Sequence, residues 1–393
     1  MQITAFKNKN VTILSICLGL LFFGFNAAEQ YFTAFYQQIG QADLAFQSLA
    51  ILYLAIIIGN YLGPTIVRKL GIKLSIYLGF LSYTVLVFGI VTKISLLVYL
   101  LSTLLGIGAG ILGIARIEFL RLVAPRQNRG EFSGAIESIR TLGGFIGIVG
   151  VSFLVKIIDI SIVFILLGLV MLIATTLTFL LDNLESRLKT ITSEVQNFKL
   201  MRQLLFDPKI LLLLPYTISG GFLLGLVLGL IPATIEKNFG IVWVGIITSI
   251  FHLTLALVLL GAGYLSDIKG RFGLIYGSMI VSIAGVLIFL QFSSLIPLIS
   301  AMVLLGLGGS LAGGAFSALM LDTFEEKIKE AAAVLGNLSI ILGIAPSFLL
   351  PRILPQNQLF VLAIGVTILG LVGILVFHLK YATIRIPNTT IKG

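Results

Sequence analysis

Polar and ionisable side chains interrupt a few long apolar stretches of this 393-residue chain, and their types and spacing bound its chemistry. Asn26, Glu29 and Gln30 share one stretch, Arg116 and Glu118 another, and Glu137 and Arg140 a third, while His252 and Asn337 stand singly. If these stretches cross a bilayer, a charge near its centre costs about 2.5–3.5 kcal/mol on insertion scales, so each needs a partner or a task. Glu137 and Arg140 are three residues apart, so a helix puts them on one face, where they can pair. Arg116 needs an acidic partner, for which Glu137 is the best placed. Glu118 lies on another face and is expected to pair with Arg121. Two readings fit this set: ion pairs that tie two helices together, or a site where arginines attract an anion and a carboxyl carries a proton. His252 is open to a hydrogen-bonded packing role or to a proton relay, and Asn337 is equally open. The sequence shows no cluster of metal ligands, no nucleophile–base constellation and no phosphate-binding loop. Catalysis, a metal and a cofactor are therefore not expected.

The elements that position these groups follow from composition. The chain is 58% hydrophobic and 11% charged, with mean hydropathy +1.12. A soluble protein carries roughly 25% charged residues, so lipid must be the solvent for much of this one. A spanning helix needs about 20 mostly apolar residues. That rule predicts helices 1 to 6 at 11–36, 43–66, 72–91, 95–121, 131–156 and 160–181. Helices 7 to 12 fall at 208–235, 241–265, 272–292, 295–321, 329–352 and 358–380. Lys7 and Lys9 before the first run, with Ala27-Ala28 after it, could be mistaken for a secretory signal. The run exceeds the roughly 7–15 residues of such a signal and more spans follow, so it is read as helix 1. The single cysteine, Cys17, excludes an internal disulfide.

The net charge of +10 is spread in short clusters between apolar runs, which argues against nucleic acid and for a bilayer. Counting Lys and Arg by alternate loops gives 20 on the side of the termini and 4 on the other. Cations mark the cytoplasmic side, so both termini are expected there, in a multi-pass protein of the cell membrane that acts as a monomer. The stretch 182–206 is the only long, polar, mixed-charge break and lies near the midpoint. It divides the chain into an N-terminal six-helix bundle (1–181), a cytoplasmic linker and a C-terminal six-helix bundle (207–393).

The two halves retain a common pattern. Leu104-Leu-Gly-Ile-Gly-Ala-Gly110 matches Leu304-Leu-Gly-Leu-Gly-Gly-Ser310 at an offset of 200, and Gly71-Ile-Lys-Leu-Ser-Ile-Tyr77 matches Gly270-Arg-Phe-Gly-Leu-Ile-Tyr276 at 199. In this register Phe316 and Ala318 stand where Arg116 and Glu118 stand in the first half, so the fold itself does not demand those charges. Glycines such as Gly143, Gly144 and Gly147 in helix 5 and Gly306, Gly308 and Gly309 in helix 10 are assigned to close helix packing.

Gly263-Tyr-Leu-Ser-Asp267-Ile-Lys-Gly270-Arg271, between helices 8 and 9, resembles the cytoplasmic loop motif of the major facilitator superfamily. The first-half counterpart, Pro64 through Arg68-Lys69-Leu-Gly71-Ile-Lys73, keeps the glycine and the cations but lacks the Asp. Ser102 and Leu105 replace the Arg and Gln of the superfamily's helix 4. The first third, with Asn26, Leu52-Tyr53 and Ala115-Arg-Ile-Glu-Phe-Leu120, is also similar to the Unc-ninety-three-like branch. The resemblance implies an all-α membrane fold of two pseudo-symmetric six-helix bundles. It also implies a conformational gate at Gly263, Asp267, Gly270, Arg271, Arg68, Lys69 and Gly71, and secondary transport of a small solute by alternating access. The expected cavity lies between helices 1, 4 and 5 and helices 7, 8, 10 and 11. Arg116 and Arg140 would attract an anionic group there, and Glu29 or Glu137 would carry a coupling proton. Asn26, Gln30, His252 and Asn337 complete the candidate set. The competing reading is a non-transporting membrane partner that escorts or regulates another protein.

Overall fold

A computed structural model describes residue 6 and residues 8–124, 129–183, 202–291, 294–324 and 328–381; within these, the side chains of 129–131, 133–135, 259–269, 291, 314, 317, 318, 321 and 328–330 are not described. Most of 182–206 thus lies outside the described residues. The first six helices are α1 (Lys9–Gln38), α2 (Ala42–Leu70), α3 (Ile72–Ile90), α4 (Ser95–Val123), α5 (Arg129–Leu154) and α6 (Ile160–Leu177). Two of the last six are interrupted. Helix α7 runs as Pro208–Gly225, a π-turn Leu226–Leu230 and Ile231–Phe239, and α11 runs as Ile328–Ser339, a π-turn Ile340–Ile344 and Ala345–Leu349. The others are α8 (Ile241–Lys269), α9 (Arg271–Gln291), α10 (Leu295–Phe324) and α12 (Gln356–Tyr381). All twelve are long and apolar enough to cross a membrane, and they fall where hydropathy predicts them. Leu96, Leu257, Ile280 and Leu369 face outward, an apolar surface suited to lipid.

Local chemistry sets where these helices begin. The Asn8 side chain accepts from the backbone N–H groups of Asn10 and Val11, and Asp159 accepts from Ser161 N at 2.7 Å. Asp207 caps α7 by accepting from Lys209 N, with Pro208 in the first turn. The connections between α1 and α2 and between α7 and α8 each carry a left-handed glycine, Gly40 (φ 72°) and Gly240 (φ 87°). Gly71 (φ 81°) and Gly270 (φ 82°) do the same between α2 and α3 and between α8 and α9. A side chain is strained at such φ. The spacings 240 − 40 = 200 and 270 − 71 = 199 extend the sequence repeat into backbone geometry.

Helix pairing repeats as well. The packed pairs α1–α5, α1–α6, α2–α4, α3–α4 and α3–α6 recur as α7–α11, α7–α12, α8–α10, α9–α10 and α9–α12. Glycine makes the closest of these possible. A Cβ at Gly147 would stand 2.0 Å from the Phe23 carbonyl oxygen, and one at Gly106 2.2 Å from that of Leu52.

Across the repeat, α1 meets α7 and α8, α5 meets α8, and α2 meets α11. One hydrophobic core runs through both groups of helices and takes in the ends of α7, α8 and α11 remote from the termini. A second core, built by Ile210, Leu213, Leu319, Phe324, Leu335 and Phe377 among others, stands apart at the opposite end of the last six helices. Among the described residues, therefore, the two groups are fused at the end remote from the termini and separate at the end near them.

Candidate functional site

The ionisable cluster is assembled by α4 and α5. Glu137 pairs with Arg116 through Oε1, and its Oε2 accepts from Arg140 Nε at 2.5 Å. One carboxylate thus serves two guanidiniums, and the group carries one positive charge more than it balances. The Arg140 guanidinium lies 4.7 Å from the Phe22 ring centroid on α1, a cation–π contact. Next to Phe22, Phe25 meets Tyr83 of α3 edge-on at 4.6 Å. Glu118 pairs with Arg121, as the i, i+3 spacing predicts, and is the more buried of the two.

Glu29 is only 8% exposed, and its Oε1 accepts from the Tyr53 hydroxyl of α2 at 3.0 Å. The Tyr53 ring in turn stacks on Phe348 of α11, 5.6 Å between centroids. Asn26 packs against Gly144, where a Cβ would come within 2.2 Å of its Nδ2. Gln30 is buried and neither of its amide atoms has a protein partner. His252 Nδ1 faces the Thr248 carbonyl at 3.0 Å and therefore carries the proton of that bond. Asn337 Oδ1 accepts from Asn60 Nδ2 at 3.4 Å. At the loop motif, Arg271 pairs with Asp322 of α10, while the side chain of Asp267 lies outside those described. Arg68 and Lys69 are exposed in the last turn of α2. The structure thus brings Arg116, Glu137 and Arg140 into one ion-paired group; Glu29 and the two arginines lie within electrostatic range of the same Tyr83, His252 lies within range of Arg140, and Asn337 stands against Asn60.

A cavity of about 710 Å³ differs from the expected one: among the described residues, its walls come from α7 to α12. Tyr216, Phe251, Met279, Phe316 and Met320 form much of it, with hydroxyls of Ser and Thr between them. Phe316, a wall residue, is the repeat counterpart of Arg116.

Sequence reading missed the contacts that close the end remote from the termini. Tyr31 of α1 accepts from the Gly245 N–H of α8 at 3.0 Å and donates to Ser152 Oγ of α5 at 3.2 Å. Thr33 donates to the Gly229 carbonyl, inside the α7 π-turn, at 2.9 Å. Arg352, in the 3₁₀ turn that follows α11, pairs with Asp43 in the first turn of α2 at 3.3 Å. A signal for the π-turns was present: Leu228-Gly-Leu-Ile-Pro232 and Leu342-Gly-Ile-Ala-Pro346 share Leu-Gly-x-x-Pro. Proline has no N–H and its ring clashes with the carbonyl four residues back, which opens the helix into the wider turn.

Solved structures confirm the architecture. The nucleoside transporter NupG aligns with a TM-score of 0.74 at 14% identity, covering 95% of this chain and 100% of its own. A D-xylose-proton symporter gives 0.72 at 15% identity, covering 94% and 97%. The inward open conformation of the xylose transporter XylE from E. coli gives 0.71 at 14%, covering 93% and 95%. At these identities the likeness concerns the fold alone. No curated protein sequence matches the chain. The sequence profile described as Major Facilitator Superfamily matches residues 14–345, and with twelve spanning helices in that fold the chain belongs to this superfamily of transporters.

Proposed function

We propose that the protein is a secondary active transporter that moves a small organic anion by alternating access, with Glu29 carrying a coupling proton. The observation that carries the anion reading is the sharing of Glu137 by Arg116 and Arg140. Two arginines and one carboxylate leave a positive charge within the membrane, where an uncompensated charge is costly. A monoanionic solute group supplies the missing countercharge. Both Glu137 oxygens are occupied by guanidiniums, which leaves it poorly placed to exchange a proton. Glu29 meets only a phenol hydroxyl among its described polar contacts and touches the seam between the two groups of helices through Tyr53. That makes it the better carrier of the two carboxyls named from sequence.

With both termini cytoplasmic, as the cation distribution favours, the fused end faces outward and this is the inward-facing state. The direct test is uptake of organic anions into proteoliposomes. Arg116→Ala is expected to lower uptake at least tenfold, and Glu137→Gln to raise the apparent affinity for the anion while slowing its release. Unchanged uptake in both variants would remove the site assignment.

A further inference from the structure

The wall of the cavity among α7 to α12 has a specific chemical character. Among the described residues it carries no Lys, Arg, His, Asp, Glu, Asn or Gln. Five of its hydroxyls spend their protons on the protein itself. Thr217 donates to Leu214 O, Ser278 to Ile275 O and Ser339 to Thr217 O, while Ser219 donates to Thr367, which donates to Ala363 O. A sugar or nucleoside brings several hydroxyl donors and acceptors, and each one desolvated without a partner is penalised. This wall is poorly equipped to satisfy them, although the fold is shared with a xylose symporter and a nucleoside transporter.

The same wall suits hydrocarbon. Phe251, Phe316, Met279 and Met320 present rings and thioethers, and Gly220 and Gly336 leave open space, with nothing within 4 Å of a Cβ built at either. The repeat adds a second observation. Phe316 on the wall corresponds to Arg116, so the pseudo-symmetric faces of α10 and α4 present an aromatic ring on one side and a cation on the other.

We infer that the substrate is an amphipathic monoanion whose apolar aryl or alkyl body occupies the cavity of the last six helices while its anionic head is held by Arg116 and Arg140. The body rests on the cavity alone; the head rests on the anion reading given above.

Calorimetric titration of the protein in lipid nanodiscs with benzoate, 4-ethylbenzoate, 4-butylbenzoate, 4-butylbenzamide and D-xylose separates the two. Burying a methylene contributes about 0.8 kcal/mol, or about fourfold in affinity, so 4-butylbenzoate is expected to bind roughly 200-fold more tightly than benzoate. Gly336→Phe should bring 4-butylbenzoate down to the level of benzoate and leave benzoate unchanged. Gly336→Ala, which meets no neighbour, should retain the gradient and controls for folding. Equal binding of all benzoates, insensitive to Gly336→Phe, would overturn the apolar-body inference and leave the anion reading intact. A preserved length dependence with 4-butylbenzamide equal to 4-butylbenzoate would overturn the anionic head and retain the body site. Saturable binding of xylose, or no binding by any benzoate, would overturn the inference.

Discussion

Tyr31 is the sharpest place to perturb the closed end. Its hydroxyl joins three helices, accepting from Gly245 N–H on α8 and donating to Ser152 on α5. Tyr31→Phe deletes both hydrogen bonds and keeps the ring, which is 1% exposed. A typical hydrogen bond contributes a net ~0.5–1.5 kcal/mol, so the pair contributes about 1–3 kcal/mol to the closed form. At tenfold per 1.4 kcal/mol, the opened form should gain about 5- to 150-fold in population. The chain has one cysteine, Cys17, which is buried, so a Cys17→Ala background allows single-site thiol labelling. Ala233 on α7 is 7% exposed within the fused core, and a cysteine there reacts only when that end opens. The labelling rate of Ala233→Cys should therefore rise by the same factor in Tyr31→Phe. Tyr36→Phe is the control, because the Tyr36 hydroxyl bonds to Ile90 O on α3 at 2.8 Å and does not cross the seam. A rate within twofold of the parent, or an equal rise in Tyr36→Phe, would refute the reasoning.

Gly147→Val should lower the melting temperature, since its Cβ would stand 2.0 Å from the Phe23 carbonyl and such overpacking costs about 1–3 kcal/mol; Gly150→Ala, with open space around it, should be neutral. Glu29→Gln should keep exchange of labelled for unlabelled solute while abolishing accumulation driven by a pH gradient, as measured in proteoliposomes. Asp182 accepts from Lys9 at 3.2 Å and Asn10 at 3.0 Å, and the Lys9 hydrogen bond chiefly holds its carboxyl below the usual range. Because the folded value is depressed, this tether is present above the ordinary carboxylate value of about 4 and is lost as pH falls through the lower folded value. Amide exchange at the start of α1, corrected for intrinsic rates, should therefore quicken in acid in the parent but show no such step in Asp182→Asn.

Much of this protein is legible without a structure because its signals are local. Twenty apolar residues in a row specify a spanning helix wherever they occur, and the spans and the cation asymmetry need no knowledge of packing. The pairing of Glu118 with Arg121 and of Glu137 with Arg140 follows from helical periodicity. The match of Gly71 with Gly270 reappears as two left-handed glycines because equivalent turns require the same φ. Even the Arg116–Glu137 pair was readable, since a cation so deep in the chain had few acids to choose from.

Other features depend on how helices meet, and the tertiary structure alone decided them. Nothing in the spacing of Tyr31 shows that its hydroxyl reaches residues 121 and 214 positions away. Among the described residues the walls of the cavity come from the last six helices alone, a matter of shape and volume that periodicity does not report. Sequence by itself determined the twelve crossings, the repeat and the charges that only one half carries. The three-dimensional packing decided which end is fused, and it walled the apolar cavity with helices of the half that does not hold Arg116 and Arg140. The reason is physical: helix formation depends on neighbours along the chain, whereas closure and cavity shape depend on complementarity between surfaces far apart in it.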